Sequence, residues 1–183
     1  MDKLLKLLEN MQIWVCVVVG VLLIATLSLM FDFSTENSSK KIKNELFELS
    51  ETIRHKYQTK PDYWGLSKTS VIEIAPQNMT INNKVVSSTG REFIVGRNEH
   101  GDIIMPSQRN FMITLANLNK KTCLDIATLD LDNEKHLSLH KIILRSEEKT
   151  IDFEWGKENN LPITKENAKK YCSNKNSISW VFE

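Results

Sequence analysis

Two adjoining stretches near the N-terminus decide the fold: Met11–Phe31, MQIWVCVVVGVLLIATLSLMF, and Ile42–Tyr57, IKNELFELSETIRHKY. The first stretch has no charged residue over about 21 positions, which at ~1.5 Å rise per residue matches a hydrocarbon core of ~30 Å. We therefore predict a membrane-spanning helix. A cleaved secretory signal is the less favoured alternative, because the run exceeds the ~7–15 apolar residues of a signal-peptide core and no small-x-small cleavage site follows it.

The second stretch has the pattern of an amphipathic helix. Its apolar residues recur at steps of three and four, which places them on one face: Ile42, Leu46, Leu49, Ile53 and Tyr57. Between the two stretches, Asp32–Ser39 (DFSTENSS) is poor in helix formers, so the helix could bend or melt there. We predict two parts, a transmembrane segment over residues 1–34 and a globular domain over 35–183 that includes the amphipathic half of the helix.

Length and charge restrict the class of protein only broadly. The chain has 183 residues, and beyond the predicted span roughly 150 remain, enough for one compact domain with a real core. The net charge is +1 and the basic residues are scattered, which does not favour nucleic acid as a partner. Lys3 and Lys6 lie on one side of the span and Lys40, Lys41 and Lys43 on the other, so the positive-inside rule does not decide the orientation.

The three cysteines fall into two groups. Cys16 lies inside the predicted span, where it acts as a small apolar residue. Cys123 and Cys172 lie in the remaining part of the chain, and an isolated pair in a membrane-anchored protein suggests one disulfide formed in an oxidising compartment. Two unrelated thiols are the alternative. The pair favours a domain that is translocated across the membrane.

After the helix, the chain reads as a mixture of short strands and helices. Pro61 and Gly65, in Thr59–Leu66, predict the end of the long helix. We then predict β-like pieces at Ser70–Ile74 and Lys84–Val86, with a turn at Asn82-Asn83. Arg91–Arg97 and Asp102–Met105 predict a hairpin.

The C-terminal half supplies the rest of a sheet and two helices. The predicted strands are Phe111–Leu115 (a central strand with alternating burial), Leu137–Leu144, Thr150–Trp155 and Ser177–Phe182. We predict that Asn119 caps a helix that continues to about Leu129, with Cys123, Ile126 and Ala127 on its inward side. We predict that Thr164 caps a second helix over Lys165–Cys172. The fold class is therefore α+β.

Motifs for catalysis or metal binding are weak. His136 and His140 have a zinc-like spacing, but the intervening Leu137-Ser138-Leu139 alternates as a strand and offers no further ligand. Asp130–Glu134 begins like a calcium loop but fails at its sixth and twelfth places, Lys135 and Lys141. No phosphate loop, nucleophile elbow or acid/base pair is present. We predict no enzyme activity, no cofactor and no metal site.

Several segments carry a resemblance to a known family. The carboxylate Glu9, in LKLLE, lies at the start of the apolar helix. Further along the chain, the strand FMITLANL leads into the helix NKKTCLDIATLDL. The segment ITKENAKKYC then carries the second cysteine before the final strand SISWVFE. This layout resembles that of type IV pilins, and in particular that of the bundlin-like pilins of the type IVb branch. The resemblance implies a long N-terminal helix packed on a mainly antiparallel sheet with two short helices.

The resemblance also implies a role in filament assembly. In the family, the N-terminal apolar helices pack along the filament axis, and a glutamate, carried here onto Glu9, pairs with the N-terminal amine of a neighbouring subunit. Leu5 then becomes the processed first residue. The alternatives are that Met1 is the mature end, which puts Leu5 in the place of the glutamate, or that the chain is not processed. Phe47 lies on a different side of the helix from the Ile42–Tyr57 stripe, so it either contacts a neighbouring subunit or is a lone exposed aromatic residue. The cystine Cys123–Cys172 would hold the region that forms much of the filament surface.

The implied partners and location follow from the same resemblance. They are other pilins, major and minor, inner-membrane pilus assembly proteins and membrane lipid, in a hetero-oligomeric filament or priming complex. The implied location is the bacterial inner membrane with a periplasmic C-terminal domain, and then a pilus on the cell surface that supports adhesion.

Two departures from the family pattern favour a minor pilin over a major subunit. Leu4 stands where pilin precursors carry a glycine before the processed residue. The chain also carries bulky decoration, Trp64, Trp155 and Trp180, with many Lys and Glu. The alternative function is a membrane-anchored accessory or binding protein with a pilin fold that is not incorporated into the filament.

Overall fold

The protein divides into two compact units, residues 1–37 and residues 38–183. The computed structural model describes residues 2–96, 110–128 and 139–183, and it describes the side chains within the first 37 residues only for 15–24. Helix α1 (Asp2–Tyr57) makes up the first unit and begins the second.

The second unit contains the sheet and the short helices. In chain order its elements after α1 are α2 (Lys68–Ile74), a 3-10 turn (Gln77–Met79), β1 (Thr80–Ile81), β2 (Lys84–Val85), β3 (Phe93–Val95), β4 (Phe111–Leu118), α3 (Lys120–Ala127), β5 (Leu139–Ser146), β6 (Thr150–Glu154), α4 (Lys165–Tyr171) and β7 (Asn176–Phe182).

The main sheet is antiparallel, and its last strand in sequence lies at its centre. Within the described residues, five strands follow the order β3-β4-β7-β5-β6. β7 pairs with β4 on one side and with β5 on the other, so Trp180 lies opposite both Ile113 and Ile142. Strand β4, which we predicted to be central, is an interior strand beside the true centre. The predicted α+β fold with a mainly antiparallel sheet is confirmed.

The amphipathic part of α1 packs into the core, as its stripe predicts. Ile42, Leu46, Leu49, Ile53 and Tyr57 are all buried, and Leu49 and Ile53 have no exposed surface. They belong to one continuous apolar cluster with alternate residues of the strands, among them Ile113, Ile178 and Trp180. Because strand side chains alternate between faces, these residues define the inner face of the sheet.

The opposite face of the sheet is also buried along its middle strands. Met112 and Val181 are paired there across β4 and β7 and are 1% and 3% exposed. Thr114 and Ser179 share a hydrogen bond of 2.7 Å between their hydroxyl oxygens on the same face. Strand β4 is therefore buried on both faces, and the alternating exposure that we predicted for it is wrong.

Aromatic rings pack between the end of α1 and the sheet. The ring centroids of Tyr57 and Tyr63 are 5.5 Å apart, those of Tyr63 and Phe111 4.7 Å, and those of Phe111 and Phe182 5.3 Å. These separations are favourable for aromatic pairs. The loop after α1 thus turns back towards the sheet, and the predicted end of the long helix before Pro61 is confirmed.

One predicted strand is a helix. Residues Ser70–Ile74 lie in α2, because Ser67 and Ser70 form a capping box. The Ser67 Oγ accepts a hydrogen bond from the Ser70 backbone N–H at 3.2 Å, and the Ser70 Oγ accepts one from the Ser67 N–H at 2.8 Å. This cap satisfies two backbone donors and starts a helix despite the β-branched residues that follow.

Other predicted turns and strands are confirmed. Asn82 and Asn83 have φ values of 50° and 58° in the turn between β1 and β2, as a two-residue hairpin requires. The first arm of the hairpin predicted over Arg91–Arg97 contains β3, while its second arm, Asp102–Met105, lies outside the described residues. β5, β6 and β7 fall within about two residues of their predicted bounds.

The two C-terminal helices begin at the predicted caps. The Asn119 side chain accepts a hydrogen bond from the Thr122 N–H at 2.9 Å, and the Thr164 hydroxyl accepts one from the Asn167 N–H at 3.2 Å. α3 ends at Ala127, slightly earlier than predicted. Cys123 and Cys172 form a disulfide with their Cα atoms 5.9 Å apart. The bond joins α3 to the end of α4, and both sulfurs lie within the apolar cluster.

Breaking the disulfide should destabilise the domain. The bond closes a loop with a sequence separation of 49 residues, for which chain entropy alone gives about 4 kcal/mol. We expect Cys123→Ser or Cys172→Ser to lower the free energy of unfolding by roughly that amount. Urea denaturation of each variant measures the loss, with Cys16→Ser as the control because Cys16 is free. An unchanged midpoint in both variants would contradict this role.

The apolar stripe of α1 gives a second prediction. Ile53 is fully buried between α1 and the sheet, so Ile53→Ala should cost about 2–5 kcal/mol of folding free energy. Asn44→Ala, on the exposed side of the same helix, should change stability by less than about 0.5 kcal/mol. Thermal unfolding of both variants measures the difference, and equal effects would show that the helix does not depend on the sheet.

Candidate functional site

The predicted assembly residues Glu9 and Leu5 both lie in α1. The side chains of residues 2–14 lie outside the described part of the chain, so their proposed roles stay predictions.

Phe47 does not face outward as we expected, and its contact with a neighbouring subunit stays a prediction. It is only 8% exposed and belongs to the apolar cluster. The buried side of α1 includes Ser39 and Ser50 beside the stripe. At 100° per residue the stripe alone spans about 80°, and with Ser50 and Phe47 the buried arc spans about 160°. Phe47 lies at the edge of this arc, with the Lys43 ammonium 5.8 Å from its ring centroid.

The tryptophans differ in their surroundings. Trp180 is 1% exposed at the centre of the sheet, and Trp155 is partly buried and donates a hydrogen bond to the Leu139 carbonyl at 2.9 Å. Their description as surface decoration is therefore wrong. Trp64, at 68% exposed, is the member of the three that lies on the surface.

The first unit presents a run of exposed apolar side chains. Over residues 15–24, the large apolar side chains are 49% to 67% exposed. They are Val15, Val17, Val18, Val19, Val21, Leu22, Leu23 and Ile24. Among the residues that the structure describes, however, no helix is both long and apolar enough to cross a membrane.

A three-member ion cluster connects the segments before β4. The Glu92 carboxylate contacts the Lys68 ammonium at 3.1 Å and the Lys84 ammonium at 2.7 Å. Burial raises the pKa of Glu92, but the hydrogen bonds and charges of Lys84 and Lys68 outweigh it, so the pKa lies below its usual value. The two lysines are 24 and 8 residues from Glu92 in the sequence, and because no local periodicity links them, the cluster was not predicted.

Two further contacts hold the same segments to the rest of the domain. The Ser88 backbone N–H donates to both carboxylate oxygens of Glu45 on α1, at 3.0 and 3.1 Å. The Arg91 guanidinium donates to the Asn117 carbonyl at 2.9 Å, where β4 bulges and Asn117 has a φ of 57°. The polar groups in this region thus bind neighbouring backbone and side chains of the domain itself.

Two open clefts of about 620 and 670 Å³ mark the surface of the second unit. The first lies at the β5–β6 turn and is lined by charged residues such as Arg145, Glu147 and Lys149. The second lies at the end of α1, beside Tyr63. Burial raises the pKa of the Tyr63 hydroxyl, and the nearby Arg54 charge partly opposes this shift. In the first cleft the Ser146 hydroxyl donates a hydrogen bond to the Lys149 carbonyl at 3.3 Å.

The structure describes some, but not all, of the residues that we considered for a metal site. Among the described residues, no group of three or more potential metal ligands comes together. His140 has its Nδ1 atom 3.4 Å from the Glu183 carboxylate. His136 and Asp130–Glu134 lie outside the described residues. The absence of catalytic and metal-binding function therefore stays a prediction.

Comparison with known proteins adds information on the fold. No protein-family model and no curated protein sequence matches the chain. Among solved structures, the chain is similar to a type IVb pilin from Salmonella typhi, with 14% identity, a TM-score of 0.49 and coverage of 77% of this chain and 96% of that one. It is also similar to TcpA, a type IV pilin from the El Tor biotype of Vibrio cholerae, with 10% identity, a TM-score of 0.51 and coverage of 82% and 99%. With α1 packed on an antiparallel sheet whose last strand is central, the chain has a type IV pilin fold.

Proposed function

We propose that this chain is a minor pilin of a type IVb pilus, a structural subunit that enters or primes the filament and supports pilus assembly and adhesion. The observation that carries the proposal is the unequal burial of α1 within a pilin fold. The apolar stripe from Ile42 to Tyr57 is buried on the domain's own sheet, whereas the large apolar side chains of residues 15–24 are about half exposed. A segment of this kind needs an apolar partner outside the chain.

The size of the exposed apolar surface supports this need. The eight side chains would each gain up to about 1.5–3 kcal/mol on full burial, and because they are already partly covered the sum is on the order of 10 kcal/mol. Lipid can cover them before assembly, and the apolar helices of other pilins can cover them in a filament. The same segment thus serves as the membrane anchor over Met11–Phe31 and as the polymerising element.

The cystine supports a location outside the cytoplasm. Stable disulfides are typical of the periplasm and the cell surface rather than the cytosol. We therefore place the C-terminal domain in the periplasm while the helix resides in the inner membrane, and on the pilus surface after assembly. The partners are other pilins and the inner-membrane assembly proteins.

The minor rather than the major role rests on Leu4 and Trp64. Leu4 occupies the place of the glycine that precedes the processed residue in the family, which suits a subunit needed in few copies. Trp64 is a large apolar group on the surface, at 68% exposed, and exposed tryptophan often marks a specific contact. An accessory protein that remains in the membrane is the second candidate, and the missing glycine is the observation that favours it.

Substitutions of Glu9 test the proposal. In a membrane the carboxylate can remain at the headgroups, so Glu9→Ala should leave the membrane level unchanged. Among packed apolar helices it needs a positive partner, and loss of one member of such a pair is strongly unfavourable. We expect Glu9→Ala to reduce the amount in sheared pili at least about tenfold and Glu9→Lys to reduce it further. Quantitative immunoblots of membrane and pilus fractions provide the measurement.

Asn10→Ala is the matched control, a polar residue next to Glu9 that should change neither fraction. Equal incorporation of the unsubstituted protein and both Glu9 variants would show that the carboxylate is only an interfacial anchor. Absence of every form, including the unsubstituted protein, from the pilus fraction would favour the accessory protein.

A further inference from the structure

We propose that five lysines around the disulfide form a binding surface for a sulfated polysaccharide. Two of them begin α3, two lie near the end of α4, and the fifth follows α4 in the connection to β7. We call them the lysine cluster: Lys120, Lys121, Lys169, Lys170 and Lys175. All five side chains are exposed.

The disulfide brings these lysines together from two distant parts of the sequence. The first two lie three and two residues before Cys123, and the next two lie three and two residues before Cys172. Residues at these helical spacings have Cα atoms about 5 Å apart. The Cα atoms of the two cysteines are 5.9 Å apart. The two lysine pairs are therefore at most about 17 Å apart, measured between Cα atoms.

The lysine cluster has a clear excess of positive charge. The carboxylates on the same two helices are Glu166 and Asp125. Five lysines against these two carboxylates leave an excess of three positive charges, in a chain whose net charge is only +1. No salt bridge within the described residues involves four of the lysines, which are Lys120, Lys169, Lys170 and Lys175. Like charges this close repel one another, and a polyanion would relieve the repulsion.

The lysine cluster also adjoins the first cleft. Lys175 lines that cleft together with Arg145 and Lys149. Glu147 and Glu148 line it as well, so the cleft itself is nearly balanced in charge. It offers a polar, concave place for a sugar ring, whereas the attraction for an anionic chain comes from the lysine cluster beside it.

The surroundings of the lysine cluster favour a polysaccharide over a membrane or a nucleic acid. Neither α3 nor α4, both fully described, exposes a large apolar side chain that could enter a lipid surface. The ring of Tyr171 is half-buried, with the Lys170 ammonium 4.9 Å from its centroid and the Phe153 ring 6.0 Å away, so it is poorly placed to stack on a base. The lysine cluster contains no arginine, the side chain that most often reads bases.

The choice of a sulfated chain rests on chemistry and on the proposed function. An ammonium is a compact point charge that suits single oxyanions such as sulfate groups. Sulfated polysaccharides carry such groups closely spaced, as the concentration of lysines requires. The ligand would be met outside the cytoplasm, where the proposed function and the cystine place the domain. The proposal thus names a ligand class for the adhesion that the proposed function includes.

Binding of the full-length protein to heparin, a sulfated polysaccharide, tests the proposal. The protein is kept in a neutral detergent, and its affinity for immobilised heparin is measured by surface plasmon resonance at 50 mM and 200 mM salt. We expect saturable binding whose Kd rises at least about tenfold between the two salt concentrations, because each lysine contact releases a counterion. Immobilised dextran, which is uncharged, should bind no protein.

A pair of double variants shows whether the lysine cluster is the site. Lys120→Gln with Lys169→Gln removes one lysine from each helix and should raise the Kd for heparin about tenfold. Lys41→Gln with Lys56→Gln removes the same charge from exposed positions on α1 and should raise it less than about twofold. Unfolding midpoints of both double variants show whether the domain is unchanged.

Three results would overturn the proposal. They are no binding to heparin, an equal loss of affinity in the two double variants, and tighter binding to a DNA duplex than to heparin. The last result would assign the lysine cluster to nucleic acid.

The amount of each variant in sheared pili separates this proposal from the proposed function. Failure to bind heparin in a protein that enters pili in a Glu9-dependent way would leave the pilin role intact. Binding that depends on the lysine cluster, in a protein absent from pili, would support the polysaccharide site and contradict the filament role.

Discussion

The contact between the second half of α1 and the inner face of the sheet is the interaction on which the structure depends. Residues from Ile42 to Tyr57 pack against alternate residues of β4, β5 and β7, and the apolar cluster extends from there to both cysteines. The centre of this sheet is the last strand of the chain, so the helix has a complete surface only after β7 has paired with β4 and β5. The N-terminal helix and the C-terminal strand are thus coupled across the whole sequence.

The two parts of α1 differ in burial. The second part satisfies its apolar face within its own domain and leaves a charged side exposed. In the first part, the large apolar side chains over residues 15–24 are 49% to 67% exposed. A soluble domain gains nothing from that surface, whereas a membrane or a neighbouring apolar helix can cover it. The proposed pilin role therefore rests on the difference in burial between the two parts of α1. This difference arises because the sheet covers the apolar stripe of the second part.

Sequence patterns predicted the features that depend on local periodicity or on single residues. The stripe of α1, the caps at Asn119 and Thr164 and the turn at Asn82-Asn83 follow from short-range chemistry, and the cysteine pair follows from the number of cysteines outside the predicted span. Ser70–Ile74 was mispredicted because β-branched residues favour strands, while the Ser67–Ser70 capping box determines the outcome.

Other features depend on contacts that are distant in sequence. Phe47 is buried because the domain covers a wider arc of α1 than the helical pattern indicates. The position of β7 at the centre, the burial of Trp180 and the Glu92 ion cluster each require segments that are far apart in the chain. The assembly roles of Glu9 and Leu5 came from family resemblance.

The central claim is that this chain is built into a filament as a subunit present in few copies. Mass spectrometry of purified pili, with isotope-labelled peptides as internal standards, measures its ratio to the major subunit. The account predicts that the chain is present at well below one copy per ten major subunits, and that its deletion reduces piliation. Pili of normal number and length that contain none of the chain, while the membrane retains all of it, would contradict the account.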